Sequence, residues 1–153
     1  MTRFRTVYYE HRRPAEQQRA FPTGEAGFVV LGADGEWSAE TEVWISPNSH
    51  CALRNHGVAE QLAELSSALG SIEGARDLLI SPGRSENAAH LFYEADRKTY
   101  GDRYDFVVLE QELPEPVRYR VAIDNREYQQ TLSRLQFLAT RATRNGYGLR
   151  LSL

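Results

Sequence analysis

The chain has 153 residues, of which 41% are hydrophobic, 10% aromatic and 25% charged, with a formal net charge of −3. These totals exclude a disordered chain and are typical of one globular domain, so we predict a single domain over residues 1–153. No apolar run is long enough to span a bilayer, and the first residues lack the apolar core of a signal peptide. We therefore expect no membrane association, a cytoplasmic location and, from the acidic balance, no nucleic-acid partner.

The first third of the chain has the pattern of β-strands. Residues 3–10 are rich in β-forming side chains and predict a strand. Residues 27–31 and 36–45 predict two further strands, and the pair Asp34-Gly35 between them is a strong turn signal. These two strands are expected to form a hairpin with one solvated face.

Apolar stripes at steps of three and four residues predict three helices. The first covers residues 58–72, and the second runs over residues 85–100 with Ser85 as its N-cap. The third follows Asp124 and Glu127, which have the spacing of a capping box. The arginines predicted on the outer face of the third helix are Arg126, Arg134, Arg141 and Arg144.

Strands are predicted between and after the helices, at residues 76–81, 104–111, 117–123 and 147–153. Residues 43–81 and 117–153 then have the same order of strand, helix and strand. We predict an α+β fold with a mixed, mostly antiparallel sheet, about three helices mainly on one face of it, and these two strand–helix–strand units.

The loop predicted at residues 49–56 holds the densest set of reactive side chains, His50, Cys51 and His56. A thiol close to a helix N-terminus can be acidified by the helix dipole, and a nearby imidazole can pair with the thiolate. These residues are the alternative catalytic candidates, and a buried, inert thiol is the competing interpretation. The one cysteine can form neither an internal disulfide nor, alone, a structural zinc site.

A metal site is considered at His90 and Glu94, which lie four residues apart and so share one helix face. A third ligand would have to come from His56, Asp96 or Asp102. The pair falls short of a zinc-protease motif, and a solvated helix face is the interpretation we favour. Phosphate-binding, dinucleotide-binding and serine-hydrolase motifs do not occur, so the sequence predicts no metal, no cofactor and no catalytic residue.

The acidic hairpin is the predicted partner-binding surface. Alternation along residues 36–45 places residues 41, 43 and 45 on one face and residues 40, 42 and 44 on the other. Aromatic side chains often anchor protein interfaces, and carboxylates attract basic partners. For Trp44 the competing interpretation is that its side chain is buried under the N-terminal strand. The predicted binding residues are Trp37, Glu40, Glu42 and Trp44.

Three functional hypotheses follow. The leading one is a small bacterial, cytoplasmic inhibitor or regulator of the immunity-protein, antitoxin or anti-defence type, which binds a protein such as a basic toxin or nuclease-like protein. The second is a small enzyme or ligand-binding domain that uses the loop at residues 49–56. The third is a self-associating structural subunit, such as a homodimer, in which an edge strand at residues 6–10 or 149–153 pairs between copies.

Overall fold

The computed structural model of the chain describes residues 3–8, 23–31, 33, 37–66, 77–111 and 117–153. The strands along these residues are β1 (Arg3–Tyr8), β2 (Gly24–Leu31), β3 (Trp37–Ile45), β4 (Asp77–Ile80), β5 (Arg103–Gln111), β6 (Val117–Asp124) and β7 (Gly148–Ser152). The helices are α1 (Pro47–Asn55), α2 (Val58–Leu65), α3 (Ser85–Lys98) and α4 (Asn125–Asn145). The α+β class is therefore confirmed, and the described residues contain one helix more than predicted. The predicted turn at Asp34-Gly35 and the second half of the helix predicted over residues 58–72 lie outside the described residues.

The strands in the described part of the chain form two sheets rather than one. The first is antiparallel throughout, in the order β3-β2-β7-β4, and the second has the order β1-β6-β5, with β1 parallel and β5 antiparallel to β6. The predicted hairpin is β2 and β3. Strand β7 is paired on both sides, so the prediction that residues 149–153 form an edge strand is wrong, and β7 cannot recruit another copy through its backbone.

The two strand–helix–strand segments are present in chain order but do not form parallel units. Strands β3 and β4 are the two edges of the four-stranded sheet, and three successive antiparallel pairings make them antiparallel to each other. Strands β6 and β7 lie in different sheets. The shared pattern of the two segments therefore reflects similar local elements and not a repeated tertiary unit.

The core lies between the four-stranded sheet and the helices. Helix α4 has the predicted orientation, because its apolar stripe is buried and its four predicted outer arginines are exposed. The buried stripe consists of Tyr128, Leu132, Leu135, Leu138, Ala139 and Ala142. From the sheet, Phe28, Ile45 and Leu149 belong to the same buried cluster, as does Phe92 of α3. No helix in the described part of the chain is both long and apolar enough to cross a bilayer.

The start of α4 is fixed by its cap. The carboxylate of Asp124 accepts hydrogen bonds from the backbone N–H groups of Arg126 at 2.9 Å and Glu127 at 3.4 Å. The prediction for Ser85 is wrong, because this residue is the first of α3 and its buried hydroxyl donates to the carbonyl of Tyr147 at 2.8 Å. A short 3-10 turn, Pro82–Arg84, leads into α3 instead.

Candidate functional site

The segment predicted as a loop at residues 49–56 lies largely in helix α1. The hydroxyl of Ser46 accepts a hydrogen bond from the backbone N–H of Ser49 at 3.3 Å, and Pro47 occupies the first turn, where its missing N–H has no consequence. Six consecutive residues, 48–53, are buried. The reactive side chains that the sequence places in a loop therefore belong to a helix packed into the core or to its C-terminal cap.

His50 and Cys51 are 3% and 9% exposed. One turn further, the Nδ2 of Asn55 donates to the carbonyl oxygen of Cys51 at 2.9 Å and to its Sγ at 3.2 Å. Burial, together with the positive charge of Arg54, lowers the pKa of His50 and so favours its neutral form. Cys51 lies in the middle of α1, where the helix dipole gives a thiolate little stabilisation. These features favour packing over nucleophilic chemistry.

His56 caps the C-terminus of α1 and belongs to an aromatic cluster. Its ring stacks on that of Tyr128 at a centroid distance of 5.4 Å and lies tilted against that of Tyr104 at 5.1 Å. Partial burial lowers the pKa of the imidazole. Burial and the nearby carboxylate of Asp96 raise the pKa of Tyr128, which therefore stays protonated at physiological pH. The cluster joins the C-terminus of α1 to β5 and α4.

The residues considered as metal ligands do not come together. Glu94 lies with one carboxylate oxygen 3.7 Å from Nη1 of Arg97, one turn along α3. His90 lines a groove between α2 and α3, beside Glu64 and Glu86. Within the ranges that the structure describes, no group of three histidine, cysteine, aspartate or glutamate side chains could hold a metal ion.

A β-bulge on β3 separates the predicted partner-binding residues. Ala26 of β2 pairs with Val43 and the next residue, Gly27, pairs with Thr41, so Glu42 is an extra residue without a partner on β2. The bulge reverses the alternation beyond it. The prediction that residues 41, 43 and 45 share one face is therefore wrong, and so is the prediction that residues 40, 42 and 44 share the other.

Trp44 lies on the outer face of the four-stranded sheet, which points away from α4. Its indole is 61% exposed, and its cross-strand neighbour is Glu25. The burial considered for Trp44 under the N-terminal strand does not occur. Trp37 begins β3, opposite Leu31 at the far end of the β2–β3 pairing.

The outer face beside Trp44 is a small ionic network. The hydroxyl of Thr41 donates to a carboxylate oxygen of Glu25 at 3.1 Å. The guanidinium of Arg150, on β7, lies 3.8 Å from Glu25 and 3.5 Å from Asp77, and its Nη2 donates to Thr41 at 3.0 Å. Two carboxylates around one guanidinium leave this network with one net negative charge.

The inner side of β3 forms a groove with α4. The groove has a volume of about 390 Å³, and its lining consists of Glu42, Val43, Ser133, Arg134, Phe137, Leu138 and Arg141. Phe137 is 64% exposed. The guanidinium of Arg141 lies 5.3 Å from the ring centre of Phe28 and 5.9 Å from that of Phe137, within cation–π distance of both rings. We call this feature the β3–α4 groove.

The residues that line this groove are recognisable in the sequence, but their proximity in the fold is not. The outward arginines of α4 and the acidic residues of β3 are both visible in the sequence, yet they are about 90 residues apart along the chain. A helix pattern does not reveal which strand lies beside the helix. A local signal is Phe137, a large exposed apolar residue on an arginine-rich helix face.

Comparisons of the chain with protein families, with curated proteins and with solved structures find no match.

Proposed function

We propose that this chain is a protein-binding inhibitor or regulator, of the immunity-protein, antitoxin or anti-defence type, that contacts its partner through the outer face of β3. The observation that carries the proposal is the exposure of Trp44. Its neighbours Val43 and Ile45 are buried, which fixes the backbone of the strand and directs the indole to solvent. A tryptophan on a rigid strand offers a large contact area with little entropy to lose, and this residue type is enriched at interface hot spots.

The charge around Trp44 supports a basic partner. Glu25 is its cross-strand neighbour, and this carboxylate remains 45% exposed despite its contact with Arg150. The net negative charge of this ionic network and of the whole chain would speed encounter with a basic toxin or nuclease-like protein. The bulge directs Glu42 to the groove side of β3, so the proposed surface is centred on Trp44.

The alternative of an enzyme or ligand-binding domain at His50, Cys51 and His56 receives less support from the geometry. The first two side chains are buried in α1, whereas the third is exposed at the C-terminal cap of α1 and lies against two tyrosine rings. A nucleophile and its base need access to a substrate. A protein-binding role needs only the exposed surface that the sheet already presents.

The test is co-purification from the native host followed by affinity measurement on variants. Trp44→Ala is expected to weaken binding about 30-fold, the effect of losing a hot spot of about 2 kcal/mol. Tyr100→Ala is the matched control, because Tyr100 is 86% exposed and lies between α3 and β5, outside the four-stranded sheet. The control should bind like the unmodified chain.

The proposal is wrong if no stoichiometric partner is recovered, or if Trp44→Ala binds a recovered partner as tightly as Tyr100→Ala does. A basic partner also predicts that affinity falls as salt is added, because exposed opposite charges are screened.

A further inference from the structure

We infer that the β3–α4 groove is a self-association surface, which seats the same groove of a second copy of this chain. The inference goes beyond the proposed function, because it concerns the opposite side of β3 from Trp44. A dimer formed in this way would leave both copies of Trp44 free to meet a partner.

The groove carries unpaired charges of both signs. Arg134 and Arg141 line it from α4 and Glu42 lines it from β3. Glu40 is also exposed on this side, since it pairs with Phe28, whose ring lies under Arg141. Within the described ranges no ion pair forms between these carboxylates and these guanidiniums, although they belong to one surface. The electrostatic attraction is therefore available to another molecule.

The arrangement of these charges is complementary to itself. Positive groups follow α4 along one side of the groove, and negative groups follow β3 along the other. A two-fold rotation about an axis along the groove places the β3 side of one copy opposite the α4 side of the other. Each carboxylate of one copy then faces a guanidinium of the other. Both copies contribute the same residues to the interface, so the assembly stops at a dimer.

The floor of the groove supplies the apolar contact that an interface needs. Phe137 is largely exposed, and Val43 and Leu138 lie beside it. Aromatic and arginine side chains are enriched in interfaces. The cation–π contacts of Arg141 with Phe28 and Phe137 favour one position of its side chain before association, which lowers the entropy lost when it forms an ion pair.

Other occupants fit this groove less well. An acidic peptide or a nucleic-acid backbone would be repelled by Glu40 and Glu42, and a basic peptide would be repelled by the arginines. The bulge at Glu42 also interrupts the regular backbone edge that an added β-strand requires. A groove with carboxylates along one side and guanidiniums along the other is matched best by the same groove of a second copy.

The test is sedimentation velocity on the full chain with two charge-reversed variants. The first is Arg134→Glu with Arg141→Glu, and the second is Glu40→Arg with Glu42→Arg. The unmodified chain should sediment as a dimer, each variant alone should dimerise at least about tenfold more weakly, and an equimolar mixture of the two should recover the dimer. Lys98→Glu, an exposed charge reversal at the C-terminal end of α3 and outside the groove lining, should leave the dimer intact.

A monomeric unmodified chain overturns the inference, as do variants that dimerise normally or a mixture that stays monomeric. Because Arg141 also packs on Phe28, the single changes Arg134→Glu and Glu42→Arg provide a second mixing pair that leaves the aromatic contact in place. Trp44→Ala should still dimerise. A chain that stays monomeric therefore does not contradict the partner-binding proposal. Likewise, a Trp44→Ala variant that binds its partner normally does not contradict the dimer.

Discussion

A buried hydroxyl pair joins helices α1 and α4. The Oγ of Ser49 and the Oγ1 of Thr131 are 2.7 Å apart, and both residues are buried. They are 82 positions apart in sequence, so the bond ties α1 to α4 across the core. In a low-dielectric interior each hydroxyl depends on the other, because water cannot replace a missing partner there.

This dependence gives a prediction for a double-mutant cycle. Ser49→Ala should lower the free energy of unfolding by about 1–3 kcal/mol, because it leaves the hydroxyl of Thr131 buried without its partner. Thr131→Val, which keeps the side-chain shape, should have a similar effect. The combined variant should lose less than the sum of the two, because no polar group is then left unsatisfied. Urea denaturation of all four proteins measures the coupling, and strictly additive losses would show that the bond contributes nothing of its own.

At the scale of the elements, the bulge on β3 is what separates two surfaces. It requires a close approach between Gly27 and the carbonyl group of Glu40, where a Cβ on residue 27 would collide with the backbone. The bulge directs Glu42 towards α4, while Trp44 stays on the outer face. One edge strand therefore serves the proposed partner surface on one side and the β3–α4 groove on the other.

Gly27→Ala tests this role of the bulge. The added methyl group cannot be accommodated without moving backbone, so the variant should lose about 1–3 kcal/mol of unfolding free energy, a typical cost of overpacking. Gly83→Ala is the matched control, because a Cβ there meets no atom within 4 Å. Thermal melts of both variants provide the comparison. Equal melting temperatures for Gly27→Ala and the control would show that the bulge relaxes freely.

The same scale shows where sequence patterns succeed and where they fail. Helix α4 was predictable because its buried and exposed residues alternate with a helical period and Asp124 caps it. Helix α1 was missed because its residues 48–53 are all buried, and polar ones among them are satisfied by distant partners. Asn48, for example, donates to the carbonyl of Asp124 at 3.0 Å and accepts from its N–H at 2.7 Å. A local pattern cannot reveal a partner 76 residues away.

At the scale of the whole molecule, the strands were predictable but their division into two sheets was not. Strand β7 reads as a terminal strand, yet it pairs with both β2 and β4 in the middle of the first sheet. Pairing depends on which apolar faces meet across the core, and similar short strands can satisfy that condition in several orders. The contacts of Asn48 with Asp124 then join β6 of the second sheet to α1, which follows β3 of the first. The β3–α4 groove could not be predicted either, because it depends on which strand lies beside α4.

The histidines of the α1 segment should give the whole molecule a pH-dependent stability. Burial lowers the pKa of both His50 and His56 below the ordinary value of 6.5, with a further contribution from Arg54 at His50. The unfolded chain therefore binds protons at a pH where the folded chain does not, and protonation favours unfolding. The contribution of the two neutral histidines to the stability of the fold is complete above pH 6.5. It is lost as the pH falls from 6.5 through the pKa values of the histidines in the folded chain, which are lower.

Urea midpoints between about pH 7.5 and pH 5.5, above the range where most carboxylates titrate, measure this loss. The unmodified chain should become steadily less stable across this window. His50→Gln with His56→Gln should flatten the dependence, whatever the change does to stability at neutral pH, because neither replacement can be protonated. His90→Gln, an exposed change on α3, serves as the control and should keep the slope of the unmodified chain. If the double variant keeps the same slope of stability against pH, the protons are taken up by other groups. His50 and His56 would then not be kept neutral by the fold.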